Sequence, residues 1–328
     1  MKVVIIGGGY AGLATCWHLM QFPHVEVTIY DEGSGASKAS TGLLHPFPGR
    51  TAARSWMAKE GMEASSALID VAEANLGRPV ANRAGIRRLP WIPWQEKEFL
   101  KQSKKDPDAI WKDGGLWIPS GITVYSKLYT EGLLKGCLAK GAILKQERID
   151  DLRSLQADHI VLATGSETLS FVDLPLVPVK GHALLCRWNG ARLPHSLICN
   201  GHITPTEDPD LCLIGSTYEY EFETREPDPK AIQQLLDKAA AFYPPAKDFE
   251  PVELLAGIRM TSKEGYRPLM QQISPTMHVF TGLGSRGLLY HALLGKKLAQ
   301  ELIPNLTQNT GFALRESPEV ERSQLAQY

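Results

Sequence analysis

Short apolar runs bounded by glycine alternate with stretches whose apolar positions recur at helical spacing. Residues 2–6 form a β-rich run of the kind expected of a buried parallel strand. A glycine-rich turn follows at 7–12, then helical periodicity over 13–21, then a second strand at 25–30. These predict one βαβ unit. Residues 33–49 are small and polar, then Pro-rich, and read as a loop. Beyond it the pattern predicts a helix at 52–75, a strand at 83–93, a charged helix at 94–105 and turn-rich β material at 114–124. Helical periodicity returns at 128–139, with strands at 142–147 and 159–163. Residues 186–223 are strand-rich with turn signals, as in an antiparallel sheet. A helix at 229–243, a strand at 278–281 and a helix at 287–302 close the pattern, and the tail is polar.

The α/β segments therefore stand at both ends and in the middle, with antiparallel material between them. That order predicts an α/β fold: a Rossmann-like dinucleotide-binding domain with an inserted antiparallel-sheet substrate domain. The expected division is 1–50, 125–180 and 255–310 for the first domain, 51–124 and 181–254 for the second, and 311–328 for a polar tail.

Composition narrows the function without naming it. Of 328 residues, 43% are hydrophobic and 22% charged, as in an ordinary globular protein. A formal net charge of −1 provides no global field to gather nucleic acid or anionic membrane. The five cysteines form no C-x-x-C pair and no histidine cluster has ligand spacing, so no metal site is expected. Free thiols suit a reducing, cytoplasmic setting. The apolar N-terminal run is broken by Gly7, Gly8 and Gly9, which suits strand-turn-helix better than a secretion signal, and no run predicts a membrane span.

Gly7-x-Gly9-x-x-Gly12 follows a strand and opens a helix. Gly7 permits the tight turn, Gly9 lets a pyrophosphate approach the backbone, and Gly12 lets the helix pack closely. The next strand ends in Asp31, 19 residues after Gly12, where a carboxylate suits a ribose diol. Glu32 beside it reads as a solvated loop charge. Two further turns favour FAD over NAD. Residues 159–165 run from a strand into Thr164-Gly165, a turn suited to closing over the adenosine half. Gly284-Ser285-Arg286-Gly287-Leu288 opens the last helix, whose N-terminal N–H groups suit the negative charge of a reduced flavin. A ligand long enough to touch both glycine turns is FAD.

With these segments the chain resembles the D-amino-acid oxidase superfamily, which includes glycine and sarcosine oxidases. The resemblance runs over nearly the whole chain. It is carried by the fingerprint and by the small-residue stretch 35–44, with Ser37, Ser40, Thr41 and Gly42. Further along, it rests on Pro178-Val179-Lys180-Gly181-His182, Ile214-Gly215-Ser216-Thr217, Ala256-Gly257-Ile258-Arg259 and the last glycine turn. Gly201-His202-Ile203-Thr204-Pro205 and the Gly-Ser-Arg-Gly-Leu turn are most similar to the FAD domain of enzymes acting on carboxymethylaminomethyl-uridine in tRNA. Their methyltransferase domain is not in this sequence.

The resemblance implies oxidation of an amine to an imine, with the flavin as hydride acceptor. Arg259 is the expected anchor for a substrate carboxylate, since a planar guanidinium grips a carboxylate by two parallel bonds. Tyr218, and less so Tyr220, could bond the same group. Lys263 and Glu264 lie near Arg259 in sequence, and His45 reads as a plain loop residue rather than a covalent flavin link. The lysines of 97–105 read as a solvated helix face. The expected partner is a small amine or amino acid. A tRNA uridine is one alternative substrate, and a non-catalytic flavin-binding role is the other.

Overall fold

The computed structural model describes residues 1–263 and 267–303. The expected polar tail and Glu264 lie outside the described residues. Three sheets organise the rest. The first has six strands in the order Leu269–Ser274, Met277–Thr281, His159–Leu162, Lys2–Ile6, Glu26–Tyr30 and Ile143–Lys145. All its pairings are parallel except the first, which is antiparallel. Its central strand is Lys2–Ile6, whose Val3, Val4, Ile5 and Ile6 are buried, as an interior parallel strand requires. Helices Tyr10–Leu19, Ser126–Ala139 and Gly287–Leu302 belong to the core over this sheet, together with Ala58–Leu76.

The second sheet has eight strands and is antiparallel except where Ser196–Ile198 runs parallel to Ile86–Arg88. Its two long strands, Leu176–Arg187 and Glu250–Ser262, pair along nearly their whole length. The borders expected at 180/181 and 254/255 fall inside these two strands, so each continues from one expected domain into the other. A small third sheet joins Leu43–Leu44, Ile122–Val124 and Ala81–Asn82.

Several expected elements are shorter. The helix predicted from 52 begins at Ala58, because Ala52 and Met57 take left-handed backbone (φ 51° and 46°) that no helix interior tolerates. The strand predicted over 83–93 is only Ile86–Arg88. Pro90 and Pro93 have no N–H to give a ladder, and Pro93 instead opens the next helix. The strand Leu269–Ser274 was not anticipated at all.

One packing contact sets the site. Gly295 of the last helix lies against the first helix, where a Cβ would come 2.9 Å from both Ala14 Cβ and Thr15 N. That close approach carries the start of the last helix to Tyr10, 3.4 Å from a Cβ built on Gly287. Two glycine turns nearly the whole chain apart thus meet. Among the described residues no helix is long and apolar enough to cross a membrane, and all five cysteines are free, four of them buried.

Candidate functional site

A cleft of about 940 Å³ runs between the six-stranded and eight-stranded sheets. At one end lies the fingerprint. Gly7 (φ 104°) needs the left-handed freedom of glycine, and a Cβ there would strike the Ala163 carbonyl. That contact puts the Thr164-Gly165 turn directly beside the fingerprint. A Cβ on Gly12 would collide with Gly7 O, so Gly12 is a packing glycine and does not line the cleft. Gly9 is different: a Cβ there would meet only Ser37 Oγ, at 2.9 Å. Asp31 lines the cleft and accepts the Gly8 N–H through Oδ1 at 3.0 Å. Its other oxygen has no partner among the described residues.

Charges around this end are matched. Arg148 pairs with Glu32 at 3.3 Å, Asp150 at 2.8 Å and Glu167 at 3.0 Å, and Arg225 also bonds Glu167. Glu32 is held below the usual carboxylate range by the Ser34 hydroxyl and then by Arg148. It is thus tied into a network rather than simply solvated.

Ser37, Ser40 and Thr41 line the middle of the cleft, and so do Gly284, Ser285, Arg286, Gly287 and Leu288. Gly42 does not. Its φ of 80° and its contact with the Val124 carbonyl make it a backbone-packing residue, which departs from the cofactor contact expected for it. The small-residue stretch lies against the long strand 250–262, because a Cβ on Gly257 would come 3.0 Å from Ala36 Cα.

At the other end stands Arg259. Its guanidinium donates to the Thr217 carbonyl at 2.8 Å and lies 4.3 Å over the Tyr218 ring. Gly181, opposite Gly257 on the paired strand, leaves the room: a Cβ there would run into the guanidinium. The 216–219 segment is itself fixed from behind. Buried His182 takes the Asp228 N–H on Nε2 at 3.0 Å, which leaves the Nδ1 proton for Thr217 Oγ1 at 2.9 Å and Glu219 at 3.0 Å. Lys180 and Glu219 exchange backbone bonds beside it. The Pro-Val-Lys-Gly-His stretch therefore acts as the clamp that holds Thr217 and Tyr218 in place.

Tyr218 and Arg259 both line the cleft; Tyr220 and Lys263 do not. Burial raises the Tyr218 phenol, but Arg259, Ser216 and Lys238 outweigh it, so the net direction is downward. With the residue 55% exposed, solvent screens part of that pull. Three further residues belong to this end: Lys238 carried no local signal, His202 stood only inside a resembling motif, and His45 read as a plain loop residue. Lys238, on the 230–240 helix, donates to Ser216 O at 3.0 Å and is lowered by burial and by Arg259, which outweigh Tyr218. His202 bonds Thr41 Oγ1 at 2.7 Å and is pulled down to about 3 by burial, then by Lys238 and Arg259. His45 is pulled down to about 3 by burial, then by Arg88, Arg286 and His202. Both imidazoles are neutral at ordinary pH.

A Rossmann-type sheet with two converging glycine turns, a ribose-ready aspartate and a cation-lined second end defines a dinucleotide-dependent oxidoreductase of two-sheet build. The chain belongs to the DAO family of FAD dependent oxidoreductases, whose family model matches residues 2–301. Glycine oxidase from Pseudomonas aeruginosa is 32% identical over 80% of this chain and 84% of its own length. The ThiO/ThiG bifunctional protein of Nostoc is 25% identical over 92% of this chain and 52% of its own. The chain spans about half the length of such bifunctional relatives. The tRNA 5-methylaminomethyl-2-thiouridine biosynthesis bifunctional protein MnmC of Idiomarina loihiensis is 27% identical over 64% of this chain and 36% of its own. The crystal structure of glycine oxidase from Geobacillus kaustophilus shares the fold, with a TM-score of 0.79 at 21% identity over 96% of this chain and 97% of that one.

The protein is thus an FAD-dependent enzyme, and the cleft fits the group. Backbone glycines open one end, Asp31 keeps an unbonded oxygen there, and the last glycine turn lines the middle.

Proposed function

We propose that this enzyme oxidises the C–N bond of an amino acid or carboxylated secondary amine to an imine, which water then hydrolyses. When bound, FAD supplies the hydride acceptor. The residues at the Arg259 end hold the carboxylate and so align the carbon next to nitrogen. The observation that carries this reading is Arg259 itself. It lines the cleft, is held rigidly by Thr217 O and the Tyr218 ring, and has no carboxylate partner among the described residues. The test is anaerobic mixing of the holoenzyme with glycine, sarcosine, proline and D-amino acids. A carboxylated amine should bleach the flavin, and the same amine without its carboxylate should not. A flavin that no amine bleaches would leave the enzyme without this function.

One observation favours a second reading, action on an aminoalkyl group of a tRNA uridine. Trp91 and Trp94 are 46% and 41% exposed, Arg50 lies 5.4 Å over Trp94, and neighbouring Gly49 lines the cleft. Exposed aromatics beside cations suit stacked bases. A tRNA shift that weakens steeply as salt rises is the expected result for that reading; no shift at low salt removes it.

A further inference from the structure

Arg88 is a buried cation without a counter-charge. It is 7% exposed and stands in the wall of the cleft. Its terminal nitrogens donate to the carbonyls of Phe47 and Gly49, Phe99 lies 5.1 Å beneath it, and Nε has no partner. No carboxylate among the described residues pairs with it. Beside it His45 is 9% exposed, and its Nδ1 is also without a partner. Carbonyl oxygens can position a guanidinium, but they do not neutralise it, and an uncompensated buried charge is costly. Of the acidic groups that line the cleft, Glu32 and Glu167 pair with Arg148 and Glu253 with Lys127, and none of the others, Asp31, Glu147 and Glu226, bonds Arg88. The missing negative charge has to come from what the cleft holds.

We propose that Arg88 and His45 form a second anion subsite, so that the substrate is an amine bearing two acidic groups. Arg259 takes one group and Arg88 the other. This rests on the reading that Arg259 anchors a carboxylate. His45, His202, Arg88 and Arg259 all line the same cleft, and Thr41 fixes the His202 ring. Two imidazoles and two cations lining one cleft suit a ligand with two anionic groups and a hydrogen-bonding nitrogen. N-carboxyalkyl amino acids and amino dicarboxylates have that shape. An amine with a single carboxylate would leave Arg88 unmatched.

The probes are two ethers that cannot form an imine: diglycolate, with two carboxylates, and methoxyacetate, with one. Binding to the FAD-loaded protein is read from the flavin absorption spectrum at constant ionic strength. Diglycolate should bind at least about tenfold more tightly, the scale of one charge-assisted pair. Arg88→Met should bring the two within about twofold while methoxyacetate binding persists, and Arg259→Met should weaken both. Equal affinity in the wild-type enzyme overturns the subsite without needing any variant. So does an Arg88→Met protein that keeps the preference but loses FAD affinity, which would assign the charge to the cofactor. Should Arg88→Met fail to fold, Arg88→Lys must narrow the preference, because it keeps the charge and loses the fork. If methoxyacetate binds and diglycolate binds no better, only the second subsite falls. If neither perturbs the flavin and no amine bleaches it, the carboxylate reading falls too.

Discussion

Around Asp31 the cleft is built from backbone and its arginines are paired; around Arg259 it is built from side chains and its arginines are not. At the first end, glycines meet carbonyl oxygens at contact distance, and Arg148 and Arg225 are met by Glu32, Asp150 and Glu167. At the second, Thr41, His45, Arg88, His202, Tyr218 and Arg259 line the cleft from five separate stretches of chain, with Lys238 bonded to Ser216 O behind them. No carboxylate among the described residues pairs with their cations. The contrast is physical. A backbone cradle whose arginines are already paired is shaped before its ligand arrives and suits a resident group. An end with surplus positive charge is satisfied only when an anion enters, and so suits a ligand that comes and goes.

The sharpest way to break the comparison is at the glycines. Gly12→Ala drives a methyl into Gly7 O, backbone against backbone, with nothing flexible to yield. Overpacking of this kind costs about 1–3 kcal/mol or more, and here it also splits the first helix from the central strand. Gly12→Ala is expected to give little soluble protein and no bound flavin. Gly9→Ala meets only the Ser37 hydroxyl, so it should fold and still lose flavin, because the methyl stands where a pyrophosphate must approach. Thermal melts with released-flavin absorbance separate the two. Equal melting temperatures for both variants would show that Gly12 is not the packing glycine described above.

The next effect lies at the opposite end. Arg259→Ala removes two prospective charge-assisted bonds, about 3–4 kcal/mol, and should raise half-saturation roughly 100- to 1000-fold. Arg259→Lys should lose much less, since it keeps the charge. FAD content should remain near wild type in both. Loss of FAD with Arg259 would mean that the two ends are not independent.

How much of this was legible in sequence follows the same divide. The fingerprint, Asp31, the Thr164-Gly165 turn and the last glycine turn all lie at local spacings set by one strand-turn-helix each. They could therefore be read directly. Arg259 and Tyr218 were readable only through resemblance. Lys238 looked like any lysine on an amphipathic helix, and Arg88 like any arginine on a strand. What makes them site residues is who stands opposite, which periodicity does not encode. Gly42 misled for the related reason that a positive φ and a ligand contact select the same residue type. The long strands 176–187 and 250–262 were not read as strands, save for residues 186–187, because Pro178, Gly181 and Gly257 interrupt the apolar pattern, yet partner pairing carries the strands through them.

Asp31 offers a smaller perturbation at the paired end. Asp31→Ala removes an acceptor for the ribose and also the acceptor for Gly8 N–H. The expected loss is of order 1.5–3 kcal/mol in FAD affinity, about 10- to 150-fold, with unaltered reduction of whatever FAD remains. Asp31→Asn keeps the Gly8 bond and should lose less. Titration of apoprotein with FAD measures both. If Asn and Ala behave alike, the Gly8 bond contributes little and the carboxylate charge carries the effect.

The smallest effect is the most discriminating, because it asks which part of Tyr218 acts. Its phenol was a candidate for bonding a substrate carboxylate, but its ring lies 4.3 Å beneath the Arg259 guanidinium and is 55% exposed. A cation over a half-exposed ring is stabilised by about 0.5–1 kcal/mol. That contact restrains the fork that must meet the carboxylate, so its loss should appear as poorer binding rather than slower chemistry. Tyr218→Ala is therefore expected to raise half-saturation about two- to fivefold with little change in the limiting rate of flavin reduction. Tyr218→Phe keeps the ring and should stay close to wild type. If Phe instead costs as much as Ala, the hydroxyl is the working part and Tyr218 touches the substrate directly. If neither matters, the Thr217 carbonyl alone holds Arg259, and Thr217→Ala, which frees the His182 clamp while leaving that carbonyl in the chain, becomes the variant that should disturb the anchor.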